Sequence, residues 1–400
     1  MAEIIFAFDG FNEYPQQYMG PKRKDNDPPP TWIDLVFHWE NVDYTLMPVE
    51  SALQLNNAWF YQVQIQYWRD FFDKGPLWEK ISPAVQNAII HGHAYWILSF
   101  AHEGIIQEAL LELHKIMQKH QIPKHKVLFV SGAHNVPADI QVNTACINIW
   151  QSNLRTIWRW QTGREETSPV SVPVEANKRY VCFNRKPREH RIALLCMLYD
   201  RGVLDKGIVS CHTKVEIGRE DVLINNGLRR YIGLGCFSHD TARAIREKLP
   251  MVVDYEIVSG VQSLLEFNES IYPQTYFSVV TETFFRDELT FITEKVFRPI
   301  MFGHPFIVAS TPHYLKSLRE LGYETFPELF DESYDSIEDD KERLTMIANE
   351  VTRLSTIPEH ELRELVKSVK EKLVHNRAQF FKLHPPTELL EKLNNLANGH

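Results

Sequence analysis

Short apolar runs alternate with polar turns and amphipathic stretches along this chain, and their order predicts an α/β protein. Residues 4–8 (IIFAF) read as a buried parallel strand that ends in a polar turn at Asp9-Gly10. AYWILSF (94–100) and KVLFVS (126–131) read the same way, and residues 105–121 between them carry apolar positions at helical spacing. The aromatic-rich stretch 50–75 reads as helical, with WFYQVQIQYWRDFF (59–72) as core packing. Residues 162–177 (TGREETSPVSVPVEAN) are polar, contain two prolines and lack a period, so they read as a linker.

Beyond that linker the pattern restarts. RYVCFN (179–184) is a strand, a helix runs from about Pro187 to Arg201, and a strand ends at VSC (209–211). YFSVVTET (276–283) is a strand, followed by a helix near 294–302 and a strand at PFIVAS (305–310). A further helix, 314–321, stops at Gly322, a suitable residue just past a helix end. HNRAQFFKLHPP (375–386) starts a terminal helix after a break. The expected organisation is an N-terminal unit 1–161, the linker 162–177, a second unit 178–374 and a terminal helix 375–400.

Length and composition fit this picture. The 400 residues exceed one ordinary core, and 44% apolar with 24% charged residues is the balance of a globular chain. A net charge of −9 argues against nucleic-acid binding over the whole surface but leaves a local basic patch open. Five scattered cysteines, none spaced as C-x-x-C, predict free thiols in a reducing cytoplasm. No leader peptide or membrane span is expected: Asp9 comes too early for the one, and the apolar run 94–101 is too short for the other.

Two segments carry the chemistry. In TETFFRDELTFITEKVFRPIMFGHPFIVAS (281–310), Thr293 suits a helix N-cap, with Glu294, Lys295 and Arg298 in the first turns. Lys295 and Arg298, three apart, can face one ligand. The helix amides and dipole favour an anion there, and a carboxylate such as Glu294 suits vicinal sugar hydroxyls. The bland alternative is a surface helix with an ordinary Glu-Lys pair. In KRYVCFNRKPREHRIALLCML (178–198), a strand ends at Asn184 and the turn and helix carry Arg185, Lys186, Arg188, His190 and Arg191. Cations at a helix N-terminus oppose its dipole unless an anion is bound, and a diphosphate suits arginine's planar fork. A solvated basic face is the alternative here.

Phe291-Ile292-Thr293-Glu294-Lys295, with Arg298 and Gly303-His304-Pro305-Phe306-Ile307, resembles the donor motif of α-1,3-fucosyltransferase-like enzymes. The Asn184 to Arg188 segment is similar to the element that starts the same Rossmann-like domain. The wider pattern looks like uncharacterised glycosyltransferases of bacteriophages and bacteria. The match covers the C-terminal half. It departs from the motif in Gly-His-Pro-Phe-Ile, where Gly-x-Val-Pro-Val is usual.

The resemblance implies the GT-B fold: two doubly wound Rossmann-like domains facing a cleft, with a C-terminal helix crossing back. It implies inverting, metal-independent transfer with no cofactor beyond a nucleotide-diphosphate sugar as co-substrate. Arg188, Lys295 and Arg298 would hold the diphosphate and Glu294 the sugar hydroxyls. Asn184, Arg185, Arg191, Glu282 and Thr293 complete the expected donor site. A general base belongs on an N-terminal loop, with Glu103 first, His102 second and Asp9 third. His134 and Asn135 are expected to line the acceptor side. The acceptor is a glycan or, on the phage-like pattern, a hydroxylated base in DNA, which would put a phage-encoded enzyme in the host cytoplasm. A non-catalytic nucleotide-sugar or glycan binder is the alternative.

Other signals are weaker. Asp25-Asn26-Asp27 matches an Asp-x-Asp metal motif but sits in the proline-rich PKRKDNDPPP loop, and His91-Gly92-His93 lacks a third ligand at useful spacing. Gly233-Leu234-Gly235 lacks the last glycine of a dinucleotide fingerprint. No P-loop or G-x-S-x-G sequence occurs.

Overall fold

A computed structural model of the chain describes residues 3–9, 36–37, 40–65, 77–101, 104, 107–134, 143–212, 220–253, 269–286 and 289–398. The chain divides into two compact units, Met1–Trp160 with Leu383–His400, and Gln161–Lys382.

The first unit is built on β1 (Ile5–Phe8), β2 (Thr45–Pro48), β3 (Trp59–Gln64), β4 (Ala94–Phe100), β5 (Val127–Ser131), the two-residue β6 (Ala133–His134) and β7 (Asn143–Cys146). Six of these form a parallel sheet in the order β2-β1-β3-β4-β5-β7. Every residue of β4 and β5 is buried, which is why both read as unbroken apolar runs instead of alternating ones. The helices are α1 (Val49–Ala52), α2 (Pro83–His91), α3 (Gln107–His120) and α4 (Ile149–Thr162). Ser82 caps α2 through the Val85 amide, and Pro83 fills the first helical position, where its missing N–H is harmless.

One sequence expectation is corrected here. Residues 59–64 are not helical: Trp59, Phe60, Tyr61, Gln62 and Val63 are buried in β3, paired to β1 and β4. Aromatic and β-branched residues fit a pleated, enclosed strand, and sheet pairing overrides the helical spacing that the wider stretch suggests.

The second unit repeats the plan with β8 (Tyr180–Asn184), β9 (Gly207–Cys211), β10 (Phe277–Thr281), the short β11 (Thr290–Phe291) and β12 (Phe306–Ala309). The sheet is parallel in the order β12-β10-β8-β9. Its helices are α5 (Glu189–Asp200), α6 (Glu220–Gly233), α7 (His239–Lys248), α8 (Glu294–Met301), α9 (Tyr314–Glu320), α10 (Asp340–Thr356), α11 (Glu359–Ser368) and α12 (Lys370–Phe381). Helix α5 is buried from His190 to Leu198 because α6, α7 and α10 pack around it. Helix α8 ends at Gly303, whose φ of 63° and crowding against Val170 leave no room for a side chain.

The chain then returns to the first unit. Helix α12 runs unbroken to Phe381, so no helix begins at 375. The break falls at 382–386, where Pro385 and Pro386 cannot continue the ladder, and α13 (Thr387–Ala397) follows. Leu389, Leu393 and Leu396 of α13 join Phe6, Phe60, Ile97 and Leu128 in the first unit's core. The buried Glu40 carboxylate accepts from Arg155, Ser152 and the His384 amide, which fastens the returning segment.

Candidate functional site

Open parallel sheets bind ligands beyond the carboxyl ends of their strands, where strand order reverses. In the second unit the chain passes from β8 outward to β9, then enters β10 on the opposite side of β8. The reversal therefore lies between β8 and β10, and the turns after Asn184 and Thr281 border it. Thr281 Oγ1 donates to Asn184 Oδ1 at 2.6 Å across these two ends, and Asn184 is 1% exposed. Asn184 thus ties the two strand ends together.

Glu282 follows directly and is fully buried. Its carboxylate accepts from the Thr283 amide (3.2 Å), the Thr293 amide (3.2 Å), Thr293 Oγ1 (2.6 Å) and the Tyr314 hydroxyl (2.8 Å). Burial, with Glu282 beside it, pushes the Tyr314 hydroxyl well above its ordinary range, so it stays a neutral donor. Thr293 caps α8, as its sequence position suggests, with Oγ1 accepting from the Lys295 amide. Lys295 Nζ donates to Thr283 Oγ1 (3.1 Å), Thr293 Oγ1 (3.0 Å) and Glu294 Oε1 (3.0 Å), and lies 3.8 Å from Glu282 Oε2.

Helix α8 buries every position except Glu294, Lys295 and Arg298, which form its one partly exposed side, at the helix start. Burial opposes charge on Glu294, but the neighbouring Lys295 and Arg298 outweigh it and hold the carboxyl below its usual range. The side thus combines an anionic carboxylate with two cations at the positive end of the helix dipole, a set suited to a phosphate and to sugar hydroxyls.

The basic segment after β8 divides in two. Arg185 and Arg188 are partly exposed. Arg191 is 3% exposed and donates to the carbonyls of Lys186 (3.1 Å), Thr281 (2.9 Å) and Glu282 (2.9 Å). Burial and then Arg188 lower the Arg191 pKa to about 10. His190 is buried beside it, and burial together with Arg191 and Arg188 drives its pKa well below the usual value. It is therefore neutral, and since a carbonyl only accepts, Nε2 carries the proton that goes to Glu282 O at 3.1 Å.

The first unit has its own reversal, between β1 and β3. Asp9 stands there, at the end of β1, and the fully buried Tyr61 donates to both its oxygens at 3.0 and 3.1 Å. His134, on β6, has Nδ1 3.7 Å from Cys146 Sγ. Glu103, His102, Asn135 and the Asp25–Asp27 loop lie outside the described residues. All five cysteines are free. Among the described residues no cluster of three or more His, Cys, Asp or Glu could hold a metal, and no helix is long and apolar enough to cross a membrane.

Several residues of this site have no local signal in the sequence. Tyr314 lies 32 positions beyond Glu282. His304, in the departure from the fucosyltransferase-like motif, is a buried neutral histidine. Nε2 donates to Thr275 O at 2.9 Å, Nδ1 lies 2.8 Å from Ser278 Oγ, and burial lowers its pKa to about 4.

The sequence matches no protein-family model, and no curated protein matches it. Among solved structures, the Candida albicans trehalose-6-phosphate phosphatase N-terminal domain aligns over 91% of this chain and 74% of its own, at 9% identity and TM-score 0.41. The α,α-trehalose 6-phosphate synthase of Burkholderia multivorans aligns over 92% and 76%, at 10% identity and TM-score 0.40. The UDP-forming α,α-trehalose-phosphate synthase of Burkholderia vietnamiensis aligns over 87% and 71%, at 10% identity and TM-score 0.34. At such identity the activity has to be argued from this chain's own residues. They form two Rossmann-like units with parallel sheets.

Proposed function

We propose that this chain is a GT-B glycosyltransferase that moves a sugar from a nucleotide-diphosphate donor to an acceptor hydroxyl. The observation that carries the proposal is the partly exposed Glu294, Lys295 and Arg298 at the start of α8, beside the strand-order reversal of the second sheet. The resemblance of Thr293-Glu294-Lys295 to the fucosyltransferase-like donor motif supports it. Lys295, Arg298 and Arg188 would hold the diphosphate, with Arg185 at the rim, and Glu294 the sugar hydroxyls. Asn184, Arg191, Glu282 and Thr293 would position these groups from below, because their polar atoms are already engaged within the unit.

In an inverting transfer the acceptor oxygen attacks the anomeric carbon while a base removes its proton. The bond to the diphosphate breaks, and its electron pair leaves with the phosphate oxygen. Cations and helix amides act where that negative charge develops. Glu103 is the proposed base, with His102 and Asp9 as alternatives, and His134 and Asn135 the proposed acceptor contacts. The acceptor is a glycan hydroxyl or a hydroxylated DNA base.

Calorimetry with GDP, UDP, ADP and CMP species tests the donor assignment. Wild type should bind one of them, Lys295→Ala should bind it far more weakly, and Glu103→Ala should bind normally without turnover. Unchanged affinity in Lys295→Ala would sink the pocket. Binding without turnover of any nucleotide sugar by the wild type would leave a non-catalytic binder.

A further inference from the structure

The turn after β10 is held from beneath by buried side chains that lie far apart in sequence. Arg191 donates to the carbonyls of Thr281 and Glu282, and His190 to that of Glu282. Arg343, on α10 and 1% exposed, donates through Nη2 to the Phe285 carbonyl. Its Nε donates to Ser310 O at 3.0 Å, and its Nη1 reaches Ile337 O (2.6 Å) and Glu338 O (3.1 Å). One guanidinium thereby links the turn after β10 to the end of β12. The Phe285 ring has the Arg343 guanidinium 4.4 Å from its centroid and the His190 ring stacked on it at 4.9 Å and 9°. Ser310 Oγ donates to Phe284 O at 3.4 Å.

The carbonyls of Thr281, Glu282, Phe284 and Phe285 therefore all point to interior donors. A trans peptide is planar, so each N–H points opposite the carbonyl before it. The amides of Phe285 and Arg286 consequently face away from those donors. Among the described residues no backbone carbonyl accepts from the amides of Phe284, Phe285 or Arg286. Lys295 Nζ approaches the same turn, 3.1 Å from Thr283 Oγ1.

We propose that Arg343 is a positioning residue for the donor diphosphate. With Arg191 and His190 holding the Thr281 and Glu282 carbonyls, it fixes the Phe285 end of the turn with its carbonyl inward, so that the amides that follow are offered to an oxyanion. The inference rests on the nucleotide-sugar reading and adds to it a residue remote from the motif. Lysine cannot replace it, because an ammonium is a point charge without the planar fork that reaches four carbonyls on three segments.

The test is calorimetry and competition binding on wild type, Arg343→Lys, Phe285→Leu and Lys295→Ala, using UDP, GDP and ADP beside uridine, guanosine and adenosine. For whichever base binds the wild type, Arg343→Lys should weaken the diphosphate about 10-fold or more, as expected for a displaced contact. It should change nucleoside affinity less than about twofold, since the proposed amide contacts are to phosphate oxygens and not to the base or ribose. Phe285→Leu keeps Arg343 and should show the same selective loss at smaller amplitude, which guards against a misfolded lysine variant. Equal losses for diphosphate and nucleoside, or none in either variant, would overturn the positioning role. If those variants bind normally while Lys295→Ala does not, the positioning role falls and the donor assignment stands. A wild type that binds no diphosphate removes both.

Discussion

The two sheets present the same topological feature with different wiring. Each reverses its strand order next to its first strand, between β1 and β3 in one unit and between β8 and β10 in the other. At the first reversal the buried Tyr61 hydroxyl donates to both oxygens of Asp9. At the second, buried Glu282 takes four donors, Arg191 and His190 hold the carbonyls behind it, and Lys295 stands within 3.8 Å. A buried carboxylate is tolerated only when well hydrogen-bonded, so the second edge depends on several donors at once.

The sharpest way to break this contrast is Glu282→Leu. It strands the Thr293 and Tyr314 donors, and should cost about 3–5 kcal/mol in urea unfolding, the usual effect of removing one partner from a buried charged network. Tyr314→Phe should cost only about 1 kcal/mol, since three donors remain. Lys295→Ala is next: nucleoside-diphosphate affinity should fall about 100-fold, roughly 2.7 kcal/mol, while Asp9→Ala leaves it within about twofold. Calorimetry on both variants decides whether the two edges have separate tasks.

Acidification separates the units differently. His304 and His190 are buried and neutral in the second unit, with His304 lowered to about 4. The unfolded chain takes up a proton on each below about pH 6.5 and the native state does not, so stability falls as pH drops. For His304 the loss between about pH 6.5 and 4 should reach roughly 2–3 kcal/mol. Hydrogen exchange at stepped pH should show the second unit opening first, and His304→Gln should flatten the slope. The smallest effect, from Asp9→Asn, belongs to the first edge. Asp9→Ala leaves the buried Tyr61 hydroxyl without its acceptor, a cost of about 1–3 kcal/mol, whereas Asp9→Asn keeps an acceptor and should cost less than about 1 kcal/mol.

Sequence and structure agree where information is local. Thr293 is a cap because the residue type and the helix that follows are adjacent in the chain. β4, β5, β10 and β12 are legible because strands buried along their whole length read as predominantly apolar runs. The stretch 59–64 misleads because its spacing suits either period, and only pairing with β1 and β4 selects a strand. Arg188 and Arg191 look equivalent, three apart on one helix. Yet Arg191 lies beneath the β10 turn while Arg188 stays partly exposed, a difference set by residues some 90 positions away.

By itself, then, the sequence determines the two α/β units, the strand ends and the helix start that carries Glu294 and Lys295, since periodicity and capping act over a few residues. The tertiary structure alone decides which charged groups are buried among partners and which stay partly exposed. Burial of Glu282, Arg191 and Arg343 depends on strands and helices from distant parts of the chain closing over them, and a group removed from water must find its partners wherever the fold brings them.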